Sequence, residues 1–180
     1  NTWHSEKIIS ANSEGSETAI NAILAIDDNR LWLGRFDGID SVAIKTKRWL
    51  GKVTSDKASR YGLLHSDIRT IIKDRAGQIW LGGYGAGVRL YQGQHAVSVL
   101  NSALPGPFRL PHDNISSILE RRNGEIWLGS RGDGITVLQR QHGVVKHYPP
   151  EPGKAGSLQQ GWVSTMAEQA SGELWLGVNP

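Results

Sequence analysis

Cysteine is absent from the 180 residues, which excludes disulfides and thiol chemistry without settling the compartment. No stretch approaches the roughly 18 consecutive apolar residues of a membrane helix, and no secretory leader pattern is present. The chain opens at Asn1 rather than Met, as a processed or excised piece of a longer protein would, and any targeting segment would have gone with the rest. Charge of one sign is also scarce. The net charge is +3, and Lys and Arg are scattered in short runs such as Lys45-Thr46-Lys47-Arg48, so the basic stripe of a nucleic-acid binder is missing. Catalytic signatures are wanting as well: there is no Gly-x-Ser-x-Gly, no His-Glu-x-x-His and no phosphate loop ending in Gly-Lys-Ser/Thr. The six histidines do not have metal-ligand spacing. No cofactor or metal is expected.

Glycine and tryptophan are abundant instead, with 22 and 7 residues, glycine standing well above its usual share of about 7%. Both follow from a repeat. Trp-Leu-Gly occurs at Trp32, Trp80, Trp127 and Trp175, at spacings of 48, 47 and 48 residues. Ile20, Ile68, Ile115 and Val163 lie twelve positions before these tryptophans, and Ile23, Ile71, Ile118 and Met166 nine before. Gly77, Gly124 and Gly172 lie three before, where the first copy has Asn29, a residue that also tolerates left-handed backbone.

In the second copy the residues read as short strands at Ile68–Lys73, 78–82, Val88–Gln92 and 96–100, cut by the turn 74–77 and the glycine-rich turn 83–87. A helical repeat is the competing reading, and those glycines, which would break a helix on either side, weigh against it. Four short strands in about 47 residues is the size of a propeller blade. The expected fold is therefore all-β, a β-propeller of four-stranded antiparallel blades with about four blades present. The whole chain, 1–180, reads as one propeller unit with repeats at approximately 10–53, 54–101, 102–148 and 149–180, and residues 1–9 as an extra strand. Such a set would be a partial ring, a small ring, or a ring completed by self-association, because an open arc exposes strand edges and apolar faces.

The pattern acid-x-x-Gly-x-apolar-Trp-apolar-Gly, carried best by 74–82 and 123–129 and again by 171–177, resembles the two-component regulator propeller repeat. That resemblance implies a non-catalytic, ligand-sensing or interaction module from the periplasmic part of a bacterial membrane receptor. The output, a histidine kinase or diguanylate cyclase, would lie in cytoplasmic segments beyond this chain, and the membrane would be reached only through those segments. It also implies a polar ligand such as a carbohydrate. A propeller-scaffold lyase or glycosidase is the alternative, with Asp67 and Asp113 as candidate carboxylates, and a pure protein-interaction scaffold is a third.

If a ligand binds, it should meet positions where the copies disagree, on the face that carries the glycine-rich turns and the long links. Four residues after each Trp these are Phe36, Tyr84, Arg131 and Asn179; at the inner-strand entries they are His65, Asp67, His112, Asn114 and Trp162. Aromatics with Arg, Asn and Asp suit a sugar or an acidic molecule. Trp162 reads either as a stacking platform or as an apolar cap on its blade. The four motif tryptophans are expected to be core, packed between neighbouring blades with a partner for each indole N–H.

Overall fold

A computed structural model describes residues 19–53, 67–85, 87–92 and 95–180. The strand expected over residues 3–9, the link 54–66 and His65 fall outside them.

The described chain is all strand and turn. The first sheet is β1 (Ile20–Asp27), β2 (Arg30–Arg35), β3 (Gly38–Ala43) and β4 (Arg48–Lys52). The second is β5 (Ile68–Lys73), β6 (Ile79–Gly83), β7 (Val88–Gln92) and β8 (His95–Leu100), and the third is β9 (Ile115–Glu120), β10 (Ile126–Ser130), β11 (Ile135–Gln139) and β12 (Gly143–Tyr148). β13 (Trp162–Glu168) and β14 (Leu174–Asn179) form a two-stranded fourth sheet. Within each sheet the strands pair antiparallel in chain order, the meander of a propeller blade.

The turns are built by the residues that mark the repeat. Asp74 Oδ1 accepts the Gln78 N–H at 2.8 Å, and Gly77 takes φ +82°, which only glycine adopts cheaply. The first copy solves its turn differently from the sequence expectation. Asn29 is not left-handed; among the described non-glycine residues only Lys47 has positive φ. Asp27 Oδ1 instead accepts the Asn29 N–H, and Asn29 Oδ1 accepts the Lys45 N–H, each at 2.9 Å.

Blade packing explains Trp-Leu-Gly. A Cβ on Gly34 would lie 2.7 Å from Ile68 Cγ2, and one on Gly82 would lie 2.8 Å from Ile115 Cγ2, so glycine lets the inner strand of the next blade approach. Each tryptophan likewise faces the following blade. Trp32 packs with Ile68, Ile71 and Tyr91, its ring edge-on to Tyr91 at 5.8 Å. Trp80 packs with Ile115, Ile118 and Leu138. Trp127, opposite the two-stranded sheet, is only partly buried. Trp175 has no following blade among the described residues and is 61% exposed, against 1% for Trp32 and 3% for Trp80. The expectation of four buried tryptophans thus fails at the fourth, because burial comes from the neighbour and not from the motif. The same holds at the other end: Ile23 is 61% exposed, whereas its repeat partners Ile71 and Ile118 are 7%. Among the described residues the blades form an open arc.

On the face carrying the β5–β6, β9–β10 and β13–β14 turns, each blade is clamped to the next. The Arg75 N–H donates to Glu120 Oε2 at 2.8 Å and its guanidinium reaches the carbonyls of Arg121 and Arg122. One repeat later the Arg122 N–H donates to Glu168 Oε2 at 2.8 Å and Arg122 Nη1 reaches the Ala170 carbonyl. Arg140 joins buried Asp74 at 2.7 Å and Glu120 at 3.0 Å. Burial alone would raise Asp74, but hydrogen bonds from Trp80, Arg140 and the Gln78 N–H outweigh it and hold the carboxyl below its ordinary range. Glu120 is lowered in the same way against its own burial by Arg75 and Arg140, and Glu168 is lowered chiefly by the Arg122 N–H. A depressed folded pKa adds stability that is complete above the unfolded value of about 4 and is lost as pH falls through the folded value. The melting temperature should therefore hold from pH 7 to about 5 and fall steeply below about 4, and a Glu120→Gln variant should show a shallower acid fall in a melting series against pH.

Candidate ligand face

The opposite face is assembled from the glycine-rich turns and the links that enter the next blade. Hydrogen bonds staple the two together, some within a blade and some across to the next. The Tyr84 N–H donates to the Asp67 carbonyl at 3.1 Å, and the Gly85 N–H donates to Asn114 Oδ1 at 2.7 Å. One blade on, the Arg131 N–H donates to the Asn114 carbonyl at 2.9 Å, and the N–H groups of Gly132 and Gly134 share the Gly161 carbonyl at 3.0 and 2.9 Å. Gly161 is needed there, since a Cβ would meet the Gly132 carbonyl oxygen at 2.3 Å.

A second device shapes the face. Every inner strand carries a β-bulge eleven residues before its motif tryptophan, at Asn21, Arg69, Ser116 and Ser164. A bulge inserts one unpaired residue and re-aims its side chain. At Ser116 the hydroxyl bonds the carbonyls of Gly129 and Val163, at 3.2 and 2.7 Å. At Arg69 it sends a guanidinium onto the face.

The result is a stack drawn from three blades. Arg69 lies 4.4 Å from the Tyr84 ring centroid. Arg131 lies 5.2 Å from Tyr84 and 4.6 Å from the Trp162 ring. Trp162 opens β13 and pairs with Arg131 in an isolated bridge. The two cations differ. Arg69 is neutralised by Asp67 through Nη2–Oδ2 and Nε–Oδ1 contacts, both 2.7 Å. Arg131 has no carboxylate partner among the described residues and its side chain is exposed; Asp133 beside it is paired with His147 at 3.1 Å. The Trp162 indole Nε1 is buried with no hydrogen-bond partner, so the ring is held by packing and the cation.

Of the residues singled out in the sequence, Tyr84, Arg131 and Trp162 meet in the stack. Asp67 joins it through Arg69, and Asn114 acts as the staple beneath it. Asn179 pairs with Trp162 across β13–β14. Phe36, 64% exposed, stands on the equivalent turn of the first blade, with no ring or cation contact among the described residues. His112 Nδ1 accepts the Asn114 N–H at 3.0 Å, a local turn contact. Asp113 is held by Ser102, its two oxygens accepting the N–H and the hydroxyl at 2.6 Å each. Arg69 was not singled out; the disagreement of the copies at that position (Asn21, Arg69, Ser116, Ser164) was its available signal.

An apolar cavity of about 540 Å³ lies between Trp127, Ile135, Tyr148, Leu158 and Leu176, roofed by the 149–161 link.

Three meander sheets packed face to face and a further pair of strands define the class: an arc of β-propeller blades. Residues 62–85 and 109–132 each match the family model described as two component regulator propeller, so the chain carries repeats of that family. No curated protein matches the sequence. Among solved structures, the chain resembles the extracellular domain described as part of a one component system from B. thetaiotaomicron, with TM-score 0.72 and 20% identity over 96% of this chain and 21% of that one. It also resembles the extracellular domain described as part of a hybrid two component system from the same organism, with TM-score 0.50 and 14% identity over 91% of this chain and 26% of that one. A protein of unknown function from Bacteroides caccae aligns with TM-score 0.52 and 11% identity over 89% of this chain and 71% of its own. The first two matches show that this chain spans a fifth to a quarter of the length of those domains.

Proposed function

We propose that the chain is a non-catalytic ligand-sensing part of a bacterial signal-transduction receptor, placed in the periplasm, and that its ligand seats on the Tyr84–Arg131–Trp162 face. The observation that carries this reading is the stack itself. Three blades contribute one residue each, at positions where the repeat copies differ, and hydrogen bonds across the blade boundaries hold them in place. The repeat family and the extracellular origin of the similar structures support the receptor setting. Against the enzyme alternative, Asp67 and Asp113 are each engaged by their own partner. A thermal-shift panel of neutral and acidic oligosaccharides tests the reading. A ligand at about 100 times its Kd adds about 2.7 kcal/mol to stability, so at least one saccharide should raise the melting temperature by several degrees. A panel in which none does would sink the ligand-binding half of the proposal.

The exposed ends support self-association. In the interior, the motif tryptophan of one blade packs on the isoleucines twelve and nine residues before the next one. Trp175 and Val178 at one end, and Ile20 and Ile23 at the other, present those same two surfaces uncovered. We propose that a second copy docks head to tail between them. Sedimentation velocity should show concentration-dependent assembly that weakens in Ile23→Ser; a monomer at all concentrations overturns it.

A further inference from the structure

We infer that Arg131 is the seat for the anionic group of a sugar acid, which makes the ligand an acidic rather than a neutral saccharide. This rests on the sensing reading above and names its ligand class. The argument begins with the guanidinium. It is planar, always charged, and carries its five N–H donors in the plane of the group. Rings within 4.6 and 5.2 Å cover it, one from the second blade and one from the fourth. Contacts of that kind occupy the guanidinium without using its N–H donors, which remain available at the edge. That edge matches a carboxylate or sulfate, which can accept two parallel bonds.

The electrostatics of the face point the same way. Asp67 pairs with Arg69 at 2.7 Å, whereas no carboxylate among the described residues pairs with Arg131; Asp133, two residues along, turns to the His147 ring at 3.1 Å and Asp113 to Ser102. The stack is also pre-organised. Arg131 is anchored through its own N–H to Asn114, and its turn through Gly132 and Gly134 to Gly161. An anion therefore meets a cation that is already placed, with little side-chain freedom left to lose. The rings add what a bare anion site lacks: Trp162 and Tyr84 offer apolar edges beside the charge, the combination a sugar ring with a charged substituent would use.

Isothermal titration of the whole chain with three probes tests this: digalacturonate, neutral digalactose and sodium sulfate. A charge-assisted hydrogen bond is worth about 1.5–3 kcal/mol, or roughly tenfold to more than a hundredfold in affinity. Digalacturonate should bind at least about tenfold more tightly than digalactose, and its affinity should fall with added salt. Arg131→Gln should abolish that preference, bringing the two disaccharide affinities to within about twofold of each other, whatever the variant does to binding of digalactose itself. Arg131→Lys should recover only part of it, because an ammonium cannot bond both oxygens in one plane. Sulfate binding as tightly as digalacturonate would show an inorganic-anion site and overturn the sugar-acid assignment. Equal binding of the acidic and neutral disaccharides would overturn the inference and leave the sensing proposal standing. Binding of none of the three would overturn the inference, and the sensing proposal then rests on the wider saccharide panel. The comparison of probes on the unaltered protein decides the matter even if a variant fails to fold.

Discussion

Trp80→Ala will cost about 4 kcal/mol of stability, and the same change at Trp175 will cost less than about 1 kcal/mol. Both residues stand at the same place in the same motif, so the contrast isolates what the neighbouring blade contributes. Trp80 is buried against Ile115, Ile118 and Leu138, and its indole Nε1 donates to Asp74 Oδ2 at 2.6 Å. Removing the ring opens a cavity and takes a donor from a carboxylate that is itself buried, two losses that act together. Trp175 is 61% exposed, so little packing is lost with it. Urea unfolding of the two variants beside the parent, at concentrations low enough to keep the chain monomeric, reads both numbers. Equal costs at the two positions would mean that the tryptophan stabilises its own blade, and the blade-to-blade account would be wrong.

Gly134→Ala is the second large effect, expected at roughly 3 kcal/mol or more. Gly134 has φ +74°, and a Cβ there would sit 2.1 Å from the Tyr148 carbonyl oxygen. Two costs therefore add. A left-handed non-glycine residue costs about 1–2 kcal/mol, and the overlap is with backbone, which cannot swing aside as a side chain would. Gly124→Ala is the control. Gly124 also has positive φ, +87°, but nothing lies within 4 Å of its Cβ position, so it should show only the conformational part, about 1–2 kcal/mol. The larger loss at Gly134 carries a functional consequence. The Gly134 N–H is one of two donors to the Gly161 carbonyl, the staple beside Trp162. Displacing it should loosen the Arg131–Trp162 contact, so Gly134→Ala should weaken ligand binding as well as stability, while Gly124→Ala should leave binding intact.

The blade pattern was legible because it is written in strong local terms. Glycines that need positive φ and β-branched residues at fixed offsets placed the second blade's four strands within a residue of their observed limits. Disagreement among the copies singled out Tyr84, Arg131 and Trp162, which the structure brings together in one stack. What escaped was set by neighbours rather than by the residue itself. Trp175 is identical to Trp80 in its motif and differs only in what packs on it. The Arg75–Glu120 clamp joins residues 45 apart whose side chains are ordinary surface types in sequence. Arg69 escaped because a β-bulge, not an alternation of polar and apolar residues, turns its side chain toward Tyr84. Asn29 was misread for a related reason: an Asp27 carboxylate holds its turn, so the left-handed conformation is not needed.

Hydrogen–deuterium exchange with saturating digalacturonate tests the ligand face most directly. The account predicts slowed exchange at 83–85, 130–134 and 160–163, where the N–H groups of Tyr84, Arg131, Gly132 and Gly134 form the staples beneath the stack. It predicts no change at the opposite turns, 74–78, 121–125 and 169–173. Protection confined to those opposite turns, or bound ligand with no protection around Arg131, would contradict it.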